Sequence, residues 1–181
     1  VLVAWIAPPA FAGSVWAEVF GLRHGLLNSV LAQFGLDRVD MLSDYPMLAV
    51  IIADVWRGTA FAMVIFLGAL RTIPGLIYEA AQVDGAGTWR LLTDQTLPMM
   101  RQHLAIVMIM TTLATIGSFL LILILTNGGP GYQTETLAVF AYHRAFVLFD
   151  IGYGAAVSEI MLALNLAFAA VYLKLARVEE S

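Results

Sequence analysis

The chain has 181 residues, 61% of them hydrophobic and only 12% charged, and its mean hydropathy is +0.86. Soluble domains carry about 25% charged residues, so this composition describes a protein whose solvent is mostly lipid. The formal charge of -4 with scattered Lys and Arg leaves no basic field for nucleic acid, and the absence of cysteine excludes a disulfide framework, a thiolate metal site and a cysteine nucleophile.

Residues 1–20 are apolar apart from Glu18, and a helix of that length reaches across a hydrocarbon core about 30 Å thick. Pro8 and Pro9 remove two helix donors and predict a kink within this first span. The abrupt opening at Val1, with neither Met nor a basic leader region, reads as a start inside or just before an apolar segment and not as a signal peptide. Residues 21–46 are mixed, with Arg23, Asp37, Arg38, Asp40 and Asp44, and read as a surface connection holding a short interfacial helix over 26–34.

The second predicted span covers 47–70 and contains Asp54, Trp56, Arg57 and Gly58 in an otherwise apolar run. Residues 72–98 cannot span, because they carry Glu79, Asp84, Arg90 and Asp94 and are broken by Gly85 and Gly87. Their local signals predict one short helix from Pro74-Gly75 to Asp84-Gly85 and another started by Thr88 as N-cap and closed near Pro98. A third span over 99–126 has Arg101 and His103 at its start and Thr111, Thr112, Thr115, Gly117 and Ser118 along its middle. The turn Asn127-Gly128-Gly129-Pro130-Gly131 leads into a second mixed connection, 132–150, with a short helix expected around 136–149. A fourth span over 151–173 leaves Lys174, Arg177, Glu179 and Glu180 to end the chain in water.

With about four spans and no internal repeat or linker, residues 1–181 read as a single all-α transmembrane domain, a polytopic helical bundle. The loop at 72–98 and the C-terminus fall on one side, with Arg71, Arg90, Arg101, Lys174 and Arg177 there against Arg23, Arg38 and Arg144 opposite, so that side is expected to be cytoplasmic.

The chain has no nucleotide-hydrolysing motif of its own. Lys174 is the only lysine and has no phosphate-cradling glycine run before it, and no H-E-x-x-H or G-x-S-x-G pattern occurs. His24, His103 and His143 lie far apart and indicate no metal site. Uphill transport would therefore draw on an ion gradient or on a partner ATPase.

The order of short motifs decides between these. Ile73-Pro74, Tyr78-Glu79-Ala80-Ala81, Asp84-Gly85-Ala86, Trp89 and Thr96-Leu97-Pro98 are followed by Thr126-Asn127-Gly128-Gly129-Pro130-Gly131, Thr134-Glu135-Thr136-Leu137, Ala145-Phe146 and Gly152-Tyr153. This order resembles the binding-protein-dependent ABC-importer permeases for carbohydrates, of the maltose and glycerol-phosphate type, over nearly the whole chain. The resemblance implies a type I ABC-importer permease fold with helices upstream of this chain, in the inner membrane of a prokaryote. It implies a carbohydrate or polyol phosphate as solute, a second permease, two cytoplasmic ABC ATPase subunits and an extracytoplasmic substrate-binding protein as partners. ATP and Mg belong to the ATPase subunits, and no cofactor is expected on this chain.

By the same resemblance, 72–98 is the coupling loop that fits a groove on the ATPase, with Glu79, Ala80, Ala81, Asp84, Gly85, Leu97 and Pro98 as its coupling residues. Glu79 would meet a basic residue of the ATPase, Gly85 would permit the elbow, and Leu76, Ile77, Val83 and Ala86 would add apolar surface. Gln95 departs from the family, which usually has an aliphatic residue there. Good helix propensity is a competing account of Ala80 and Ala81.

Asp54 and Arg57 need an explanation of their own, because an unpaired charge at membrane depth costs about 2.5 to 3.5 kcal/mol. At i and i+3 they can pair with each other or line a polar pathway, where Trp56 or Phe61 could stack on a sugar ring. Resemblance to the family's helix before the loop adds Gly58 and Phe61 to them as substrate-contacting residues. On the next span Thr111, Thr115 and Ser118 share one helical face, and small residues packing between membrane helices account for that pattern equally well. An ion-coupled carrier or channel, with Asp54, Arg57 and Glu159 as coupling charges, is the alternative, and the absence of an inverted repeat argues against it.

Overall fold

The computed structural model describes residues 2–178, so Glu179 and Glu180, expected at the aqueous end, lie outside the described residues. Ten α-helices and two π-helical segments follow one another, without a strand among the described residues. They are α1 (Leu2–Ile6), α2 (Pro9–Phe20), α3 (Leu26–Gln33), α4 (Pro46–Leu70), α5 (Gly75–Val83), α6 (Thr88–Leu91), α7 (Leu97–Ile116), α8 (Leu120–Leu125), α9 (Leu137–Tyr142) and α10 (Ile151–Val178), with π segments at Leu92–Thr96 and His143–Val147.

Three of the expected spans stand as helices long and apolar enough to cross a membrane, over Pro46–Thr72, Thr88–Ile116 and Ile151–Tyr172. The first does not. At Pro8-Pro9 the helix is interrupted outright, and α1 and α2 are separate pieces, neither long enough to span. Pro9 lies in the first turn of α2, where its missing donor is harmless, while the extended Pro8 before it, at ψ 144°, ends the preceding helix.

The third span is also redrawn. Thr88 is the first residue of α6 and not its cap, since Gly87 takes the N-cap place. The helix does not close near Pro98 but passes through the widened turn Leu92–Thr96 directly into α7. A proline inside a helix lacks a donor and crowds the carbonyl four residues back, and a π turn just before it is where the ladder can be re-registered. At the far end, helix stops at Ile116, ten residues before the expected boundary. Gly117 and Ser118 are poor helix formers, and Phe119 at φ -129° lies outside helical geometry before α8 begins.

Two mixed connections fold onto buried polar side chains. Asn28 of α3 is 3% exposed; its amide donates to the Val39 carbonyl at 3.0 Å and its carbonyl accepts from the Val39 amide at 2.8 Å, fastening the interfacial helix to the chain that follows it. Thr134, fully buried, shares a 2.7 Å hydrogen bond with Thr126 and donates to the Gly129 carbonyl at 3.0 Å, so the glycine-rich turn is tied across its own neck. Thr136 caps α9 by accepting from the Val139 amide.

The core is one-ended. Ala12 and Phe20 of α2, Ala49, Val50 and Ala53 from the first half of α4, Leu121, Ile122 and Leu125 of α8, and Val139 of α9 form one buried cluster with Met41. The long helices beyond it expose apolar side chains such as Val55, Leu67, Met108, Ile160 and Leu166, as faces turned to lipid or to another helical subunit do. Asp54 near the start of α4 touches Thr115 near the end of α7, so these two helices run antiparallel. α10 packs on α7 and α9, with Tyr172 bonded to Thr112 at 3.1 Å.

Two tests follow from this arrangement. Gly154 sits where a Cβ would lie 2.7 Å from the Ala145 Cβ and 3.0 Å from the Ala141 carbonyl, whereas nothing lies within 4 Å of such an atom at Gly152. Gly154→Ala should therefore lower the melting temperature of the purified protein by overpacking, a cost of about 1 to 3 kcal/mol, while Gly152→Ala leaves it near the wild-type value. Cysteines replacing Asp44 and Tyr132 should react with an impermeant thiol reagent from outside the cell, and one replacing Thr88 only after the membrane is opened; labelling at Thr88 in intact cells would invert the topology.

Candidate functional site

Where α4 and α7 cross, small residues hold them close without filling the space between. Gly58 on α4 offers no side chain toward α7, and the Thr111 methyl lies 3.8 Å from where a Cβ would stand. The result is a cavity of about 540 Å³ lined by Asp54, Arg57, Gly58, Phe61, Thr111, Thr115 and Ser118, with Trp5, Met110, Leu113 and Ala114 completing the wall. Seven of the residues singled out from the sequence on these two helices, Asp54, Arg57, Gly58, Phe61, Thr111, Thr115 and Ser118, thus share one space.

Inside it the polar groups are unevenly satisfied. Thr115 donates its hydroxyl to the Asp54 carboxylate at 3.4 Å. Arg57 makes no ion pair with Asp54 or with any other acid among the described residues. Its Nε is buried without a hydrogen-bond partner, as is the Thr111 hydroxyl. Buried polar atoms are nearly always partnered, so the hydrogen bonding of Arg57 and Thr111 is incomplete among the described residues.

Aromatic surface comes from an element that the sequence did not single out. Trp5 of α1 lies 6.2 Å, centroid to centroid, from Phe61, and the two rings share the wall of the cavity with the polar groups. Trp56, expected alongside Phe61, instead meets Trp16 edge-on at 5.9 Å and does not line the cavity. A lone Trp before a proline pair carries no sequence signal of a site; only the break at Pro8 brings Trp5 to α4. A second hollow of about 570 Å³ shares Asp54, Gly58, Thr111 and Thr115 and is bounded by Tyr172 of α10.

At the other end of α4, the first arm of the loop has the expected shape. α5 ends at Val83, and Gly85 adopts φ +78° with open space around it, a conformation that costs an L side chain about 1 to 2 kcal/mol. Leu76, Ala80 and Val83 are exposed, Val83 to 87%, and Ile77, Ala81 and Ala86 are half-buried. Glu79 and Asp84 are exposed and form no ion pair among the described residues. Leu97 and Pro98, also exposed, begin α7, so they belong to the spanning helix and not to a separate loop helix. Arg90 and Asp94 pair at 3.5 Å, but both are well exposed, and such a pair contributes little to stability. Gln95 lines a groove of about 270 Å³ with Ala81, Asp84, Ala86 and Arg90, so the residue that departs from the family pattern stands between the two arms of the elbow.

One contact fixes the angle of that elbow. The Tyr78 hydroxyl and the Thr96 hydroxyl lie 3.2 Å apart, and Thr96, 7% exposed, donates in turn to the Leu91 carbonyl at 3.1 Å, inside the widened turn. α5 is thereby tied to the base of the helix that leads to the cavity.

A family model for the binding-protein-dependent transport system inner membrane component matches residues 1–178. The chain belongs to that family. Among curated members of this permease family, the sulfoquinovosyl glycerol transport system permease protein SmoG of Agrobacterium fabrum is 32% identical over 99% of this chain and 59% of its own length. The trehalose/maltose transport system permease protein MalF of Thermococcus litoralis is 34% identical over 98% of this chain and 60% of its own length, and the diacetylchitobiose uptake system permease protein NgcF of Streptomyces coelicolor is 33% identical over 92% and 49%. The chain thus spans about half to three fifths of the permeases that it matches. Among solved structures, a bacterial alginate ABC transporter in complex with an alginate pentasaccharide-bound periplasmic protein superposes with a TM-score of 0.87 over 98% of this chain and 62% of that one, at 21% identity, which establishes the permease fold.

The Tyr78 contact generates a prediction for this permease. Tyr78→Phe removes one hydroxyl from a part-buried pair, worth about 0.5 to 1.5 kcal/mol. Amide exchange should accelerate across 75–98 and stay unchanged in the core around Leu121; equal protection of the loop in both proteins would show that the hydroxyl does not hold the elbow.

Proposed function

We propose that this chain supplies part of the translocation pathway of an ATP-driven, binding-protein-dependent importer, and that the solute crossing it is a carbohydrate. The observation that carries the reading is the cavity between α4 and α7, lined by a carboxylate, a guanidinium and three hydroxyl side chains together with the Trp5 and Phe61 rings. Sugars present a ring of hydroxyls around an apolar face, and this lining offers hydrogen-bond partners for the first and aromatic surface for the second. The relatives' names support the class, since sulfoquinovosyl glycerol, trehalose, maltose and diacetylchitobiose are all built on sugars.

In this reading the drive comes from two cytoplasmic ATPase subunits docked on the elbow at 72–98, with a second permease completing the pathway and a binding protein delivering the solute from outside. Glu79, exposed and unpaired among the described residues, is available to a basic residue of the ATPase. The exposed Leu76, Ala80 and Val83 supply apolar contact. Because α6 continues into α7, movement of the elbow is carried to Thr111 and Thr115 as a shift of one helix against α4, the hinge-and-shear kind of motion that closes and opens sites.

The test uses the assembled complex with its ATPases and binding protein in lipid vesicles, read as solute-stimulated ATP hydrolysis over a panel of sugars, amino acids and metal ions. Stimulation by a sugar is the expected result. Asp54→Ala should then weaken the response by about tenfold to a hundredfold, the value of a hydrogen bond to a charged group, and adding Arg57→Ala should not restore it, since the two side chains are not paired. Glu79→Ala and Gly85→Leu should lower transport per ATP at near-normal yield of membrane protein. Response to an amino acid or metal ion alone would overturn the solute class, and active uptake with no ATPase bound would favour an ion-coupled carrier.

A further inference from the structure

One charge within the long helices has no counterpart. Asp54 and Arg57 share a cavity and offset each other there, whereas Glu159 of α10 is exposed and its side chain makes neither an ion pair nor a hydrogen bond among the described residues. It lines neither of the hollows beside Asp54. Within the crossing helix Ile151–Tyr172 it stands about 12 Å along from the first residue and about 20 Å from the last, well inside a hydrocarbon core about 30 Å thick. The long stems of Lys and Arg can lift a charge to the interface from near a helix end; the two methylenes of a glutamate are too short for that distance. The side of α10 that meets its own bundle carries Gly154 and Val157, both buried, and Met161 and Asn165, half-buried. At about 100° per residue Glu159 falls on the opposite side, with Ala156, Ala163 and Leu166 exposed beside it. Hydrocarbon is a poor cover for a carboxylate at this depth.

We propose that this face of α10 packs against a transmembrane helix of a second, non-identical permease, which presents a basic side chain opposite Glu159. This rests on the importer reading, in which a second permease completes the pathway, and names where the two chains touch. Acids inside a membrane pair with groups on neighbouring helices, and the small Ala156 and Ala163, about a turn to either side of Glu159, let a second backbone come close. A copy of this chain does not fit. A twofold contact through this face would set Glu159 against its own copy. The arginines and lysine of the described residues, other than Arg57, lie in the connections, in the 72–98 loop or near the ends of the long helices, and Arg57 lines its own cavity. The complementary charge therefore comes from a different sequence.

The experiment uses the complete complex in its membrane, with the membrane subunits separately tagged. A benzophenone side chain replacing Leu166, on the Glu159 face, should cross-link on irradiation to the second permease, and one replacing Leu164, about 160° round the helix, should not. Capture of Leu166 by lipid alone, by another segment of the same chain or by a second copy overturns the proposal. In detergent, Glu159→Lys should lower the amount of second permease that co-purifies with this chain by about tenfold or more, and placing Glu at the basic residue of the cross-linked helix should restore it. Unchanged co-purification in Glu159→Lys, or no recovery in the exchanged pair, overturns the proposal. The cross-linking arm leaves Glu159 in place, so it decides the matter if Glu159→Lys does not fold. A complex that imports solute with its ATPases bound while Leu166 reaches only lipid removes this inference and leaves the importer reading standing; active uptake with neither an ATPase nor a second permease bound removes both.

Discussion

Hydrocarbon offers no partner to a peptide N–H or C=O, and the placement of irregular backbone in this chain follows from that. The long helices satisfy themselves. Where the chain leaves the helix beside the spans, at Pro8 and at Gly117–Phe119, it does so next to the cavity that Trp5 and Ser118 line, and unwound backbone at membrane depth is tolerated where it lines a cavity or is buried in protein. The mixed connections solve the same problem differently, with Asn28 and Thr134 standing in for backbone partners that a turn cannot provide.

The cavity is also what makes the charges on α4 tolerable. Asp54 and Arg57 would each be expensive facing lipid, and both instead line the gap that Gly58 keeps open against α7. The well-packed cluster of α2, α4, α8 and α9 anchors one end of these helices, leaving the loop end held mainly by the Tyr78–Thr96 contact. A bundle packed tightly at one end and loosely at the other has its freedom of movement at the loop.

Much of this was legible in the residues. Composition announced the lipid solvent, the glycine at position 85 announced an elbow that indeed has φ +78°, helical spacing put Thr111, Thr115 and Ser118 on one face, and the family resemblance added Gly58 and Phe61 to Asp54 and Arg57. What periodicity could not reveal were local contests between helix propensity and backbone constraint. Pro98 reads as a stop, yet the widened turn before it carries the helix on; residues 1–20 read as one span, yet Pro8 divides it. Spacing of i and i+3 allowed Asp54 to meet Arg57, but the choice of Thr115 as partner depends on how two helices cross, which no local pattern encodes. Trp5 is the same kind of case: its place beside Phe61 exists only because the chain bends at the proline pair.

The continuity of the helix from Thr88 to Ile116 has a mechanical consequence. At 1.5 Å per residue, Thr115 lies roughly 40 Å along the rod from its Thr88 end, so a tilt of about 5° imposed there displaces the cavity wall by roughly 3 to 4 Å. That is about the size of one hydroxyl group, enough to make or break every contact to a ligand held between α7 and α4. The rod multiplies a small angular input into a larger stroke at the cavity. Any bending at the widened turn Leu92–Thr96 would subtract from that stroke.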